Sequence, residues 1–185
     1  MLKLYGAAQS RASIVQWYLE ELALPYEFVS LDLKAGEHRQ APFTDINPFG
    51  KVPALVDGDL SVWESGAILL YLAEKNGQLA DLAQKATISQ WVLFGNSTLA
   101  NGLFIEQFRE REMPRLLGVL NAVLEKQDYL LGDAFTVADV AVGSILAYVP
   151  IMLKLNFDDY PQVAAYVQRL TSRPAFQKTI GYRPG

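Results

Sequence analysis

Two short apolar segments flank one amphipathic segment near the beginning of the chain, and their order restricts the fold more than any other feature. Residues 2–5, "LKLY", and residues 26–33, "YEFVSLDL", have the composition of strands. Between them, "SRASIVQWYLEELAL" places apolar residues at helical spacing, as at Ile14, Tyr18 and Leu22. A strand, a helix and a strand in close succession predict a right-handed parallel unit.

A second group of elements follows a polar stretch at residues 34–50. The sequence "PALVDGDLSV" predicts an antiparallel hairpin that turns at Asp57-Gly58. The sequence "ESGAILLYLAEKNG" then predicts a helix that begins at Ser65 and stops near Gly77. The complete order matches the thioredoxin-like arrangement, so we predict an α/β domain of this type over residues 1–76.

The composition changes near residue 77, and the rest of the chain has helical patterns. We predict a linker at residues 77–84 and an all-α domain at residues 85–185. Within it, "QKATISQWVLFGNSTLANGLFIEQFRER" is predicted to be one long segment, and Pro114 is placed in the first turn of the next helix. Thr136 and Asp139 have the offset of a capping box at the start of a later helix.

The rare residue types exclude several kinds of chemistry. The chain has no cysteine and one histidine, His38. Disulfides, thiolate metal sites and histidine-rich metal sites are therefore excluded, no metal cofactor is predicted, and any thiol must arrive on a ligand. The net charge of −4 gives no electrostatic reason to predict a nucleic-acid or anionic-membrane partner. No apolar run approaches the ~20 residues of a membrane span, so a cytoplasmic location is predicted.

Val52-Pro53 stands where the hairpin begins, and proline supplies no ladder donor there. Base rates favour a trans proline that opens an edge strand. A cis bond would instead turn the amide and carbonyl of Val52 outward, where they could pair with an extended peptide. The residues alone leave both interpretations open.

Two helix starts also allow two interpretations. Glu64 and Ser65 could simply cap their helix, or they could bind a ligand that carries an amino group and a carboxylate on one carbon. Ser10 and Ser13 could cap the first helix, or a hydroxyl there could donate to a thiolate. Serine-based nucleophilic catalysis is not predicted, because the only histidine lies in a separate loop.

The chain resembles the soluble glutathione transferases over essentially its full length. The resemblance lies in the order and spacing of "LKLYGAAQS", of residues 36–74 and of "FTVADVAVGSILAY". It is most similar to the serine-type classes, especially the phi class of plants, and its short length suggests the compact cyanobacterial chi class. The resemblance implies a thioredoxin-like domain that binds glutathione, an all-α domain that shapes an electrophile pocket, and a two-fold homodimer.

The resemblance also implies a role for each candidate residue. Pro53 would be cis, and Val52 would pair through its backbone with the cysteinyl unit of glutathione. Glu64 and Ser65 would take the γ-glutamyl amino and carboxylate groups. The positions implied for the glycine carboxylate are Lys51, His38 and Arg39. An exposed, solvated loop explains His38 and Arg39 equally well. Thr136 and Asp139 would form a structural cap.

The residue that activates the thiol is less clearly indicated. Ser10 matches the serine of the phi class, and Arg11 and then Tyr5 are the alternatives. The positions implied for the electrophile pocket are Ala7, Ala8, Phe94, Thr98 and Asn101. Core packing of the helix explains Phe94 better than a pocket does.

The reaction implied is transfer of glutathione to small hydrophobic electrophiles, with isothiocyanates suggested by the chi class. Glutathione-dependent peroxide or disulfide reduction is an alternative, but the reductase-type classes commonly use a cysteine. A non-catalytic dimer for protein assembly or ligand carriage is another alternative. Intact Lys51, Glu64 and Ser65 argue against it, because a scaffold need not keep a tripeptide site.

Overall fold

A mixed four-stranded sheet organises the beginning of the chain in the computed structural model, which describes residues 1–8 and 10–182. The strands are β1 (Leu2–Gly6), β2 (Tyr26–Ser30), β3 (Ala54–Asp57) and β4 (Leu60–Trp63), in the order β2-β1-β3-β4. β1 runs parallel to β2, whereas β3 is antiparallel to both β1 and β4. The predicted parallel unit and hairpin are therefore confirmed.

Helices complete this first unit. They are α1 (Ala12–Glu21), α2 (Phe43–Ile46) and α3 (Ser65–Lys75), with a 3₁₀ turn at Glu37–Arg39. α1 and α3 pack against each other and bury their apolar faces, including Trp17, Leu19, Ile68 and Leu72. Each large apolar side chain buried in this way contributes about 1.5–3 kcal/mol, so the packing of α1 and α3 stabilises the first unit.

The second unit is helical. Its helices are α4 (Leu82–Leu93), α5 (Ala100–Phe104), α6 (Glu106–Leu124), α7 (Val137–Tyr148), α8 (Pro161–Thr171) and α9 (Pro174–Lys178), the last of which ends where the first unit resumes. π-helical turns occupy Phe94–Leu99 and Val149–Leu153. α7 is buried from Val137 to Ala147, which makes it the central helix. The fold class, a thioredoxin-like α/β domain followed by a helical domain, is confirmed.

The prediction of one long segment ending before Pro114 is wrong. The chain breaks at Ile105, whose φ of −85° and ψ of 112° are extended, and Pro114 lies inside α6. Arg109 stabilises the break, because its Nε donates to the carbonyl of Leu103 at 2.6 Å and its Nη2 to that of Phe104 at 3.4 Å. A side chain from the next helix therefore satisfies carbonyls that α5 leaves open.

The two compact units differ from the predicted domain ranges. One contains Met1–Gln78 together with the residues from Lys178 onward, and the other contains Leu79–Gln177. α4 begins at Leu82, inside the predicted linker at residues 77–84. The residues from Lys178, assigned from the sequence to the helical domain, group with the first unit instead.

None of the helices in the described residues combines the length and the apolar character needed to cross a bilayer.

Candidate functional site

A pocket of about 220 Å³ opens in the first unit between the start of β3 and the start of α3. Its lining residues are Arg11, Asn47, Lys51, Val52, Pro53, Glu64 and Ser65. All of them except Asn47 were singled out from the sequence. Three separate loops and helix starts therefore bring most of the predicted binding residues together.

The β3 side of the pocket exposes backbone. The Val52–Pro53 peptide bond is cis, as is Ala41–Pro42. The pairing of β1 with β3 reaches only to Tyr5 opposite Ala54, so Val52 lies outside the ladder. Its amide and carbonyl are therefore at a position where an extended ligand could pair with them.

Asn47 holds the loop that leads to Lys51. It is 2% exposed, its Nδ2 donates to the carbonyl of Lys51 at 2.7 Å, and its Oδ1 accepts from the amide of Phe49 at 3.1 Å. Sequence reasoning missed this residue, although an asparagine before a proline is a signal for a turn. The Asn47 side chain therefore makes the hydrogen bonds that hold this loop, at the rim of the pocket, in place of backbone pairing in a helix or sheet.

His38 and Arg39 lie next to this loop but do not line the pocket. Gly50 has a φ of +57°, and a Cβ at this position would lie 2.7 Å from the carbonyl oxygen of His38. The close approach requires glycine and packs the 3₁₀ turn against the residue before Lys51. The Nδ1 atom of His38 is buried and has no hydrogen-bond partner in the described part of the chain. The role of His38 and Arg39 in binding a glycine carboxylate stays a prediction.

Glu64 and Ser65 form the α3 side of the pocket. Glu64 is the N-cap residue of α3, and its side chain makes no capping hydrogen bond. Its φ of +70° is unusual for a residue with a Cβ, and strain of this kind is often found at functional sites. Ser65 follows as the first helical residue and is 3% exposed. The positive end of α3 therefore faces the pocket beside a carboxylate that does not cap it.

The three candidates for thiol activation, in and beside the loop between β1 and α1, make different contacts. The hydroxyl of Ser10 donates to the carbonyl of Ala7 at 2.8 Å and accepts from the amides of Ala12 and Ala7 at 3.2 and 3.3 Å. The ring of Tyr5 packs against Phe43, with centroids 5.8 Å apart. Of the three candidates, Arg11 is the one that lines the pocket.

The candidates for an electrophile pocket lie in both units. Ala7 and Ala8 belong to the first unit, whereas Phe94, Thr98 and Asn101 belong to the second. The Phe94 ring contacts Trp91 edge to face at 5.6 Å, which agrees with a packing role. Thr98 and Asn101 are exposed. This pocket stays a prediction.

The capping box at the start of α7 is present. The amide of Thr136 donates to Asp139 Oδ2 at 2.8 Å, and Thr136 Oγ1 accepts from the amide of Ala138 at 3.2 Å. Asp139 Oδ1 also accepts from the amide of Leu130 and from the hydroxyl of Tyr166. Burial raises the pKa of Asp139 above its usual value, although these donors oppose the shift. The pair ties α7 to a preceding loop and to α8, which is a structural role.

The family models that match this chain and the proteins that are similar to it are all described as glutathione S-transferases. The family model "Glutathione S-transferase, N-terminal domain" matches residues 1–74, and "Glutathione S-transferase, C-terminal domain" matches residues 107–174. A glutathione S-transferase of Hyoscyamus muticus is 33% identical over 98% of this chain and 99% of its own. Glutathione S-transferase F7 of Arabidopsis thaliana is 33% identical over 97% of this chain and 99% of its own.

A solved structure supports the same comparison. The glutathione transferase of Burkholderia graminis, solved with two glutathione molecules bound per subunit, has a TM-score of 0.82 and 30% identity. The similarity covers 96% of this chain and 86% of that chain.

Proposed function

Because the chain belongs to the glutathione S-transferase family, we propose that it conjugates glutathione to small hydrophobic electrophiles in detoxification. It is an enzyme of the transferase type that uses glutathione as co-substrate and is phi-like within the family.

The observation that carries the proposal is the match between the charges of the pocket and those of the tripeptide. The Glu64 carboxylate suits the γ-glutamyl ammonium, and the start of α3 at Ser65 suits the carboxylate on the same carbon. Lys51, which also lines the pocket, suits the glycine carboxylate. The Val52 backbone lines the pocket outside the β1–β3 ladder and suits the cysteinyl peptide unit.

An isothiocyanate is the electrophile that we propose. The thiolate sulfur attacks the central carbon and forms a C–S bond, and one electron pair of the C=N bond moves to nitrogen. The nitrogen takes up one proton, which balances the proton lost by the thiol. The product is a dithiocarbamate, and no group leaves. Holding the two reactants side by side supplies part of the rate.

We propose that the chain belongs with the classes that carry a serine at the Ser10 position, and within them with the compact chi class, on the resemblance of its β1–α1 loop and its short length. This class assignment is separate from the question of which side chain contacts the sulfur. A cytoplasmic location also stays a prediction.

We further propose a two-fold homodimer. Phe49 and Trp63 are exposed by 67% and 37%, and their ring centroids are 5.0 Å apart. Large adjacent aromatic groups on a surface are typical of protein interfaces. A second copy of the chain is the partner that the family resemblance implies.

Calorimetric titration with glutathione, followed by conjugation assays with isothiocyanates, aryl halides and hydroperoxides, tests the function. We expect saturable glutathione binding and the highest rates with isothiocyanates. Binding without turnover of any electrophile would favour the non-catalytic alternative. Turnover confined to hydroperoxides would favour the peroxidase alternative.

A further inference from the structure

The hydroxyl of Ser10 has no hydrogen-bonding capacity left for a ligand sulfur. A serine hydroxyl has one donor proton and two acceptor positions. In this loop the proton is donated to the carbonyl of Ala7, and the acceptor positions take the amides of Ala7 and Ala12. Donation to a thiolate would require the bond to the Ala7 carbonyl to break. The side chain therefore stabilises the loop between β1 and α1.

The backbone amides at the start of α1 are occupied as well. The amide of Ala12 donates to Ser10 Oγ, that of Ser13 to the carbonyl of Ser10, and that of Ile14 to the carbonyl of Arg11. These three amides are the donors that a helix start usually offers to an anion. Here they close the helix onto its own loop, so they are not available to stabilise a thiolate.

Arg11 is the candidate that lines the pocket, and its position suits the task. It is the N-cap residue of α1, its side chain is exposed, and it lines the pocket together with Val52 and Glu64. A guanidinium is always charged, and a neighbouring arginine lowers the pKa of a thiol. A guanidinium in the lining of the pocket therefore brings positive charge to the proposed ligand site.

The charges of the pocket indicate what this arginine would contact. Bound glutathione as the thiolate carries one ammonium, two carboxylates and one sulfur anion. Glu64 takes the ammonium, the start of α3 takes one carboxylate, and Lys51 takes the other. Among the charged groups that line the pocket, this leaves Arg11 as the partner for the sulfur.

We propose that the guanidinium of Arg11, rather than the hydroxyl of Ser10, is the side-chain group that contacts the thiolate sulfur of bound glutathione. The inference rests on the proposed function and assigns the catalytic contact within it. Ser10 is then a positioning residue, because it holds the loop from which Arg11 reaches the pocket.

The test compares Arg11→Gln, Arg11→Lys and Ser10→Ala with the wild-type chain. The measurements are the ultraviolet absorbance of the bound thiolate and the pH profile of kcat/KM. Arg11→Gln should raise the thiol pKa of bound glutathione by about one unit or more, which means about a tenfold loss of thiolate at pH near 6.5. Its rate should approach the wild-type rate above the pKa of the free thiol, roughly 8.5, where no activation is needed.

The other variants distinguish the effect of the Arg11 charge on the thiol pKa from an effect on the structure of the loop. Arg11→Lys keeps the charge and should recover part of the rate. Ser10→Ala should lower the melting temperature and shift the thiol pKa less than Arg11→Gln does. Arg111→Gln, which removes an exposed arginine of α6 that does not line the pocket, is the matched control and should leave the profile unchanged.

A wild-type thiol pKa in Arg11→Gln, or a larger shift in Ser10→Ala, would overturn the inference while leaving the proposed function intact. Failure of the wild-type chain to bind glutathione would overturn the proposed function and the inference together.

Discussion

Glu64 combines backbone strain with a charged side chain in a residue that lines the pocket. Its φ of +70° is a conformation that usually favours glycine, and holding it costs on the order of 1–3 kcal/mol. A glycine would adopt the same backbone at less cost but would lose the carboxylate. The presence of glutamate at this position is therefore better explained by ligand binding than by the turn between β4 and α3.

Glu64→Gln should weaken glutathione binding with little change in stability. The substitution keeps the size of the side chain and the backbone conformation, and it removes the charge that we propose to face the ligand ammonium. A hydrogen bond to a charged group contributes about 1.5–3 kcal/mol, so the affinity should fall by about tenfold or more. Calorimetric titration and thermal unfolding measure the two effects.

Glu74→Gln makes the same charge change at the end of α3, away from the pocket, and is the matched control. Unchanged affinity in Glu64→Gln, or an equal loss in Glu74→Gln, would contradict the assignment.

Most pocket residues could be predicted from the sequence because their signals are local. Val52-Pro53 and Glu64-Ser65 each lie where one element meets the next, and their positions follow from the element order. Asn47 could not be assigned in this way, since its importance comes from bonds to Lys51 and Phe49 that exist only after the loop has closed. The hydrogen bonds that occupy the Ser10 hydroxyl could not be predicted for the same reason.

Elements whose ends are set by turn residues were predicted well. Asp57-Gly58 fixes the hairpin locally, and Gly58 has the positive φ, +60°, that such a turn needs. The break between α5 and α6 was missed, because Ile105 carries no turn signal and the stop depends on the side chain of Arg109. Pro114, which is a strong signal in isolation, is tolerated inside α6.

The hairpin is held to α3 by an ionic cluster, which predicts a pH effect. Asp57 accepts hydrogen bonds from Lys75 and from the Tyr71 hydroxyl, and these bonds hold its pKa below the usual value of 3.8. A carboxyl group whose pKa is lowered by folding stabilises the fold above its unfolded pKa, and this contribution is lost as the pH falls through the folded pKa. The hairpin should therefore loosen in acid.

Asp57→Asn should lower the melting temperature near neutral pH, and the difference from wild type should shrink as the pH falls through 3.8, the usual aspartate pKa, toward the lower pKa of the folded state. Melting curves across this range test it, with Asp59→Asn in the same hairpin as the control. A difference that stays constant with pH would show that the carboxylate charge is not what connects the hairpin to α3.

The start of α7 depends on the buried carboxylate of Asp139, and its removal should be costly. Asp139→Ala would leave the amide of Leu130 and the hydroxyl of Tyr166 without their acceptor in a buried place. Each buried group left unsatisfied costs about 1–3 kcal/mol, so the free energy of unfolding should fall by several kcal/mol. Denaturant titration measures the loss. Thr136→Ser, which keeps the capping oxygen, should stay close to wild type, and a small effect of Asp139→Ala would contradict the structural role.

At the scale of the whole molecule, the proposed homodimer predicts a sensitive surface position. Phe49→Ser removes the more exposed ring of the Phe49–Trp63 pair and should shift the chain from dimer toward monomer. Sedimentation at micromolar concentration measures the change. Tyr182→Ser, at an aromatic residue of the same unit that is 66% exposed, is the control. A wild-type chain that sediments as a fully active monomer would end the proposal.

The first unit is made of two stretches of chain that are far apart in sequence. Residues from Lys178 onward belong to it, Lys178 pairs with Glu20 across 3.7 Å, and Ile180 is 9% exposed. On the ribosome, the sheet and its helices emerge first and must wait for the whole helical unit to be synthesised before these residues arrive. The proposed glutathione pocket therefore belongs to a unit that is completed last, and a stop codon after Gln177 would damage the part of the enzyme that was translated first.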